Sequence, residues 1–296
     1  VGQLYLQYEY WFAAFQLVMA MLGMGATLSG KDFREVVQEP RSVTLGLVVQ
    51  LVAVPLTAYL FLRLFGVEGG VAVGIALIAA VPGGTVSNIF TFLARGNVAL
   101  SISITGITTL ACLFTTPLIL TLLISQYLPA DFSMPRLKII AEIALTLLLP
   151  LALGMLYLYL YPRTAAVFSR WCIRASVFGI LLIVVGSASA GRLDLEALGY
   201  DNLLLLVVFT VALAIVSRLT LALLRMNRKD ASAIEFEIMV RNVNLGVLLK
   251  ASIFPATAAG MAALGDIVLF CLLLYGGLQL IVGPLLIWLY RKTGKR

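Results

Sequence analysis

Residues 82–90 read PGGTVSNIF, between the apolar run VAVGIALIAAV and the segment TFLARG. Pro82 has no backbone N–H to give a helix, and Gly83 and Gly84 weaken helix formation further. A helix that breaks here frees carbonyl oxygens, and Ser87 and Asn88 add side-chain oxygens one turn later. Oxygens at about 2.3–2.6 Å suit a hard cation of sodium's size. The alternative is a plain proline kink closed by local hydrogen bonds. Downstream, ALSISITGITTL at 99–110 sets Ser101 and Thr105 four residues apart on one helical face, with Thr108 and Thr109 following. These hydroxyls either supply oxygens to the break or bond back to their own helix. Glu237 is the remaining element of this chemistry. A carboxylate inside an apolar segment costs roughly several kcal/mol unless it is paired, which makes it a functional candidate. Arg241 lies four residues on, and that spacing predicts an ion pair with Glu237. The pair either neutralises itself or serves a ligand. Arg218 and Glu235 form a second expected pair, read as structural, and Asp266 is expected to face water near the start of a helix.

The surroundings of these residues are those of a membrane protein. The 296 residues are 61% hydrophobic and only 12% charged, with a mean hydropathy of +1.05; a soluble domain carries about 25% charged residues. The ten-residue alternation of an outer-membrane barrel is absent. With no histidine, histidine acid–base chemistry and histidine metal sites are excluded. Cys112, Cys172 and Cys271 are far apart in apolar runs and read as buried structural thiols. No basic region followed by a cleavage site opens the chain, so no signal peptide is expected.

Apolar windows predict nine spans, near 10–29, 42–65, 69–95, 98–127, 138–161, 172–191, 203–224, 230–254 and 264–290. All of the chain is one transmembrane domain, because no intervening loop is long enough for another. Basic residues gather in alternate loops: Lys31, Arg34 and Arg41; Arg95; Arg163 and Arg170; Arg225, Arg228 and Lys229; then Arg291, Lys292, Lys295 and Arg296. The other loops are poorer or mixed, as with Asp131 and Arg136. This places the N-terminus outside and the C-terminus in the cytoplasm, in a cell (inner) membrane. Two spans are interrupted by polar residues, 69–95 and 230–254, the latter by Glu235, Glu237, Arg241, Asn242 and Asn244. They run in opposite directions at corresponding places, the pattern of an inverted-repeat transporter.

Three stretches resemble the bile acid:sodium symporter family: LGMGATLSGKDF at 22–33, VPGGTVSNIFTFLARGNVALSISIT at 81–105, and E-x-x-x-R-N-x-x-L-G from Glu237 to Gly246. The resemblance implies an all-α fold of ten helices, or nine where the first is missing, the form expected here. It implies a panel domain, about 10–29 and 138–191, and a core domain, about 42–127 and 203–290, with two broken helices that cross. It implies that an organic anion is carried in with sodium as the core moves against the panel. A first sodium site would match Ser87, Asn88, Ser101, Thr105 and Glu237. A second would match Gln50, Glu237 and backbone groups at Ile238 and Val240, but Arg241 stands where the family pattern has glutamine. A guanidinium has no acceptor and keeps its charge, so it cannot ligate sodium. Thr85 and Asn242 match positions lining the substrate cavity. Gln279 and Leu280 replace a polar histidine–asparagine pair, so bile acid itself is not carried over as the substrate.

The expected function is sodium-coupled symport of an organic anion by alternating access. The alternative is a sodium-independent or proton-coupled carrier in which Arg241 replaces the second sodium. An enzyme is disfavoured by the absence of histidine, cysteine dyads and clustered acids, and a signalling receptor by the absence of a soluble domain. No nucleic-acid partner is expected, because the net charge of +7 is accounted for by loop topology.

Overall fold

Backbone groups in hydrocarbon must be satisfied within the protein, and the chain meets this with helices. A computed structural model describes residues 2–30, 40–127, 134–255 and 261–293. Lys31, Arg34, Asp131, Lys295 and Arg296, used above to weigh the loops, lie outside the described residues. The order is α1 (Gly2–Gly25), α2 (Pro40–Leu64), α3 (Gly69–Ala80), α4 (Thr85–Leu93), α5 (Val98–Ile124), α6 (Arg136–Leu160), α7 (Pro162–Ser189), α8 (Tyr200–Leu223), α9 (Arg228–Met239), α10 (Val243–Ile253) and α11 (Ala262–Thr293). Six of these, α2, α5, α6, α7, α8 and α11, are long and apolar enough to cross a membrane. Their outward faces carry leucines such as Leu60, Leu118, Leu122, Leu204 and Leu219.

The chain breaks where the sequence lacks helix-compatible residues. Val81 precedes a proline, which disfavours the α conformation, and it is extended at φ −77°, ψ 150°. Gly84 is also extended, and α4 restarts at Thr85. The second break has no proline. Val240 leaves the helix at φ −107°, ψ 89°, and Asn242 caps the next one by accepting from the Leu245 N–H. Two further helices are widened rather than broken: π-helical turns occupy Val49–Ala53 in α2 and Ile143–Leu148 in α6.

Two groups of helices emerge from the packing. α1 lies against α6 and α7. At Gly25 the approach to α6 is so close that a Cβ would stand 2.1 Å from the Leu151 carbonyl oxygen. In the second group, α3 packs against α5 and α11, and α9 packs against α4, α5 and α8. α10 touches both groups, through α11 on one side and α1 on the other. α3 is buried along almost its whole length, which explains its uniformly apolar sequence. α1 is kinked at Tyr8 (φ −117°, ψ 15°), so the run expected from about 10 is the helix beyond the kink, and a further helical segment from Gly2 precedes it. α7 starts at Pro162 rather than near 172. In α7 the additional turns carry Arg163 and Arg170 on an exposed face, so charge there does not end the helix.

Candidate functional site

The two breaks lie against each other. Gly84 donates its N–H to the Val240 carbonyl at 2.7 Å, and Asn242 donates to the Pro82 carbonyl at 2.9 Å. These bonds make an antiparallel bridge between Gly83 and Arg241. Each break thereby satisfies part of the other's freed backbone. A Cβ at 83 would come within 2.1 Å of Glu237 Oε2, so a side chain there would displace the carboxylate.

Glu237, at the end of α9, is fully buried and is met by hydroxyls from two other helices. Ser87 of α4 donates to its Oε1, as do Ser101 and Thr105 of α5, each at 2.7 Å. Ser101 is also 2.8 Å from Asn88 Oδ1, and Thr91 donates to Ser101 at 3.3 Å. Every predicted member of the first cation site therefore sits in one network. Three donors converge on Oε1, while the buried Oε2 has no hydrogen-bond partner among the described residues. The donor set is all oxygen, four neutral groups and one carboxylate. A single negative charge with hard ligands fits a monovalent hard cation better than a transition metal. No cluster of three or more acids, histidines or cysteines occurs among the described residues.

The expected ion pair between Glu237 and Arg241 is not formed. The spacing argument assumes a continuous helix, and the break at Val240 takes Arg241 out of register. Its guanidinium turns instead to the C-terminus of α3, donating to the carbonyls of Ile78 at 3.1 Å, Ala79 at 3.0 Å and Val81. Those carbonyls are the ones a helix end leaves without partners, at the negative pole of its dipole. Gln50, placed by the wide turn of α2, bonds weakly to Thr108 at 3.5 Å and leaves its Oε1 without a partner. Gln50, Thr108 and Arg241 face a space too tight to admit a water. Glu237 and Gln50 are thus not joined by any direct hydrogen bond among the described residues.

On the other side of the crossing lies a cavity of about 440 Å³. Thr85, Asn242 and Gln279 all line it, and Gln279 also accepts from the Arg241 backbone N–H at 3.0 Å. The remaining wall is mostly apolar, with Gln16 of α1 and Ser176 of α7 facing the crossing. Gln16 was not singled out in the sequence; it donates to the Asn244 carbonyl at 3.0 Å and has an unpartnered buried Oε1. The starts of α4 and α10 border this cavity, presenting helix N-termini to it.

The Sodium Bile acid symporter family model matches residues 14–195, more than half of the chain. The chain belongs to this family. It is a family of transporters, not of enzymes, and the protein is an integral membrane protein. The chain is 31% identical over 254 residues to the uncharacterized sodium-dependent transporter YocS of Bacillus subtilis, covering 84% of this chain and 76% of that one. It is 28% identical over 287 residues to the sodium-dependent organic anion transporter of Rattus norvegicus, covering 96% and 75%. A probable chloroplastic sodium/metabolite cotransporter, BASS1 of Arabidopsis thaliana, is 29% identical over 249 residues, covering 83% of this chain but only 61% of its own length.

This symporter-family chain also holds charges outside the crossing. Arg218 pairs with Glu235 at 2.9 Å as expected, and Tyr290 donates to the same carboxylate. Asp266 does not simply face water; it bonds Arg192, which bonds Glu9 at 2.8 Å. Glu9 in turn accepts from the fully buried Lys250 at 2.6 Å. Lys250 was legible as a charge within an apolar segment. Glu9 was hidden by starting the first helix too late.

Proposed function

We propose that this protein is a sodium-coupled secondary transporter of an organic anion that works by alternating access. The single observation carrying this reading is the convergence of Ser87, Ser101 and Thr105 on the buried carboxylate of Glu237, with Asn88 joined to the network through Ser101. Sodium there would complete the charge of Glu237 and tie α4, α5 and α9 together, so its binding would set the shape of the crossing. The relatives' printed names, which describe sodium-dependent and organic-anion transport, support the same reading.

Nine spans follow if α1 and the two broken pairs, α3–α4 and α9–α10, are each counted once beside the six long helices. The order of long helix, broken pair and long helix occurs twice, in α2–α5 and in α8–α11, and supports an inverted repeat. Loop charge supports an outside N-terminus and a cytoplasmic C-terminus in a cell membrane. The anion would enter the cavity by Thr85, Asn242 and Gln279, where the N-termini of α4 and α10 favour negative charge. Arg241 takes the place of a second cation, so one sodium accompanies each turnover.

The test is accumulation in proteoliposomes under an inward sodium gradient. A mixture of small organic anions is offered outside, and the lumen is read by mass spectrometry. At least one anion should accumulate in sodium, fail to do so in potassium, and fail in Glu237→Gln. Equal accumulation in sodium and potassium would replace this reading with a sodium-independent or proton-coupled carrier.

A further inference from the structure

Away from the crossing, four charges from four chain segments meet at one end of the molecule. Glu9 belongs to α1, Arg192 follows α7, Lys250 lies near the end of α10, and Asp266 lies near the start of α11. Glu9, Arg192 and Lys250 are buried, with the Lys250 side chain fully so. Three contacts link the four charges in a chain from Lys250 to Glu9, Arg192 and Asp266. Both ends of that chain lie on α10 and α11, and its middle lies on the α1 and α7 side. The ion pairs therefore join the two helix groups to each other and lie across their boundary.

Their position relative to the cavity is the same on every segment. On α1 the first lining residue, Gln16, comes seven residues after Glu9, about 10 Å further in. On α11 the first, Leu273, comes seven residues after Asp266, again about 10 Å. On α7 the lining ends at Val184, before Arg192, and on α10 it ends at Val247, one turn before Lys250. The charges thus cover one end of the cavity. Two neighbouring contacts reinforce that end: Ser252 donates to Glu142 at 2.6 Å, and Lys138 donates to the Ser252 carbonyl at 3.0 Å.

We propose that the Glu9–Lys250 and Arg192–Asp266 pairs are a gate, which closes this mouth of the cavity and must separate before solute enters from that side. This rests on the transport reading above, in which the two helix groups move against each other. Opening separates Lys250 from Glu9 and Asp266 from Arg192, leaving Glu9 with Arg192 on one side. Water entering the opened mouth solvates the parted charges. A buried pair holds the closed form because one partner left alone and dry is strongly unfavourable. The gate is electrostatic, so removing both members of a pair weakens it without stranding a charge.

The experiment is thiol labelling in membranes from either side. Ser176→Cys puts a thiol in the cavity of a chain carrying Cys112→Ala, Cys172→Ala and Cys271→Ala. A membrane-impermeant maleimide is added to intact cells or to inside-out vesicles, with and without Glu9→Gln/Lys250→Met. Labelling from the side of the four charges should quicken by about tenfold or more as the closed form loses its bias, while labelling from the opposite side slows. Unchanged rates from both sides, in a variant that purifies as a single species with an intact melting transition, would overturn the gate. If that variant does not fold, Arg192→Gln/Asp266→Asn makes the same test. Labelling needs no flux, so a failure to transport any anion would remove the transport reading without deciding this result.

Discussion

Glu237 and Arg241 stand on either side of one chain break, yet their surroundings are opposite. Around Glu237 the protein collects oxygens: three hydroxyls, an amide carbonyl and a carboxylate whose Oε2 lacks any partner. Around Arg241 the protein collects carbonyls and supplies their cation itself, with Nη1 left over as a spare donor. One half of the crossing is chemically suited to a cation from solution. The other half carries a tethered one. On the proposed reading, the side chain at 241 sets the ion demand of this half while the backbone crossing is held by its own hydrogen bonds. Lysine or arginine beside a helix C-terminus does what a bound cation would do there, but it cannot leave.

The comparison breaks most severely at the tethered cation. Arg241→Gln strips the guanidinium from three buried carbonyls, each costing about 1–3 kcal/mol if left unsatisfied. Chemical denaturation in detergent should show the loss. Added sodium should recover part of it, and sodium uptake per anion should rise above that of the parent. Unchanged sodium affinity and stoichiometry would mean that Arg241 is only a structural brace. Gly83→Ala attacks the other half through packing. The new methyl falls on Glu237 Oε2, so the carboxylate must shift; stability should fall by about 1–3 kcal/mol and sodium affinity by about tenfold or more. An unaltered sodium titration would show that Oε2 is irrelevant to the ion. Ser101→Ala is the mildest of the three. It removes one of three donors to Oε1, with an expected cost of about 1 kcal/mol and a sodium affinity lowered by less than in Gly83→Ala, measured by the same titration.

What the sequence made legible was local. Pro82 disallows a helical Val81 and withholds a donor, so the first break could be read directly from residue types. Ser101 and Thr105 share a face by helical spacing alone, and Glu237 is conspicuous as a carboxylate in an apolar segment. The all-helical class and the family were also readable. What remained hidden depended on geometry between distant segments. The second interruption was readable from its polar residues, but without a proline its place was not fixed, so the sequence did not show that Arg241 would leave the register of Glu237 and reach α3. Glu9 and Lys250 are 241 positions apart, and only packing of α1 on α10 brings them together. The wide turn that directs Gln50 inward sits in VQLVA, an ordinary apolar sequence without a distinguishing residue.

Sodium dependence of folding stability tests the central claim most directly. The purified protein is melted in sodium and in potassium at matched ionic strength, beside Glu237→Gln. If the Glu237 network binds sodium, the native protein should be selectively stabilised by sodium, by about 2.7 kcal/mol at a hundredfold excess over Kd. The gain should vanish in Glu237→Gln. Identical melting in the two salts, or a sodium gain that survives Glu237→Gln, would contradict it.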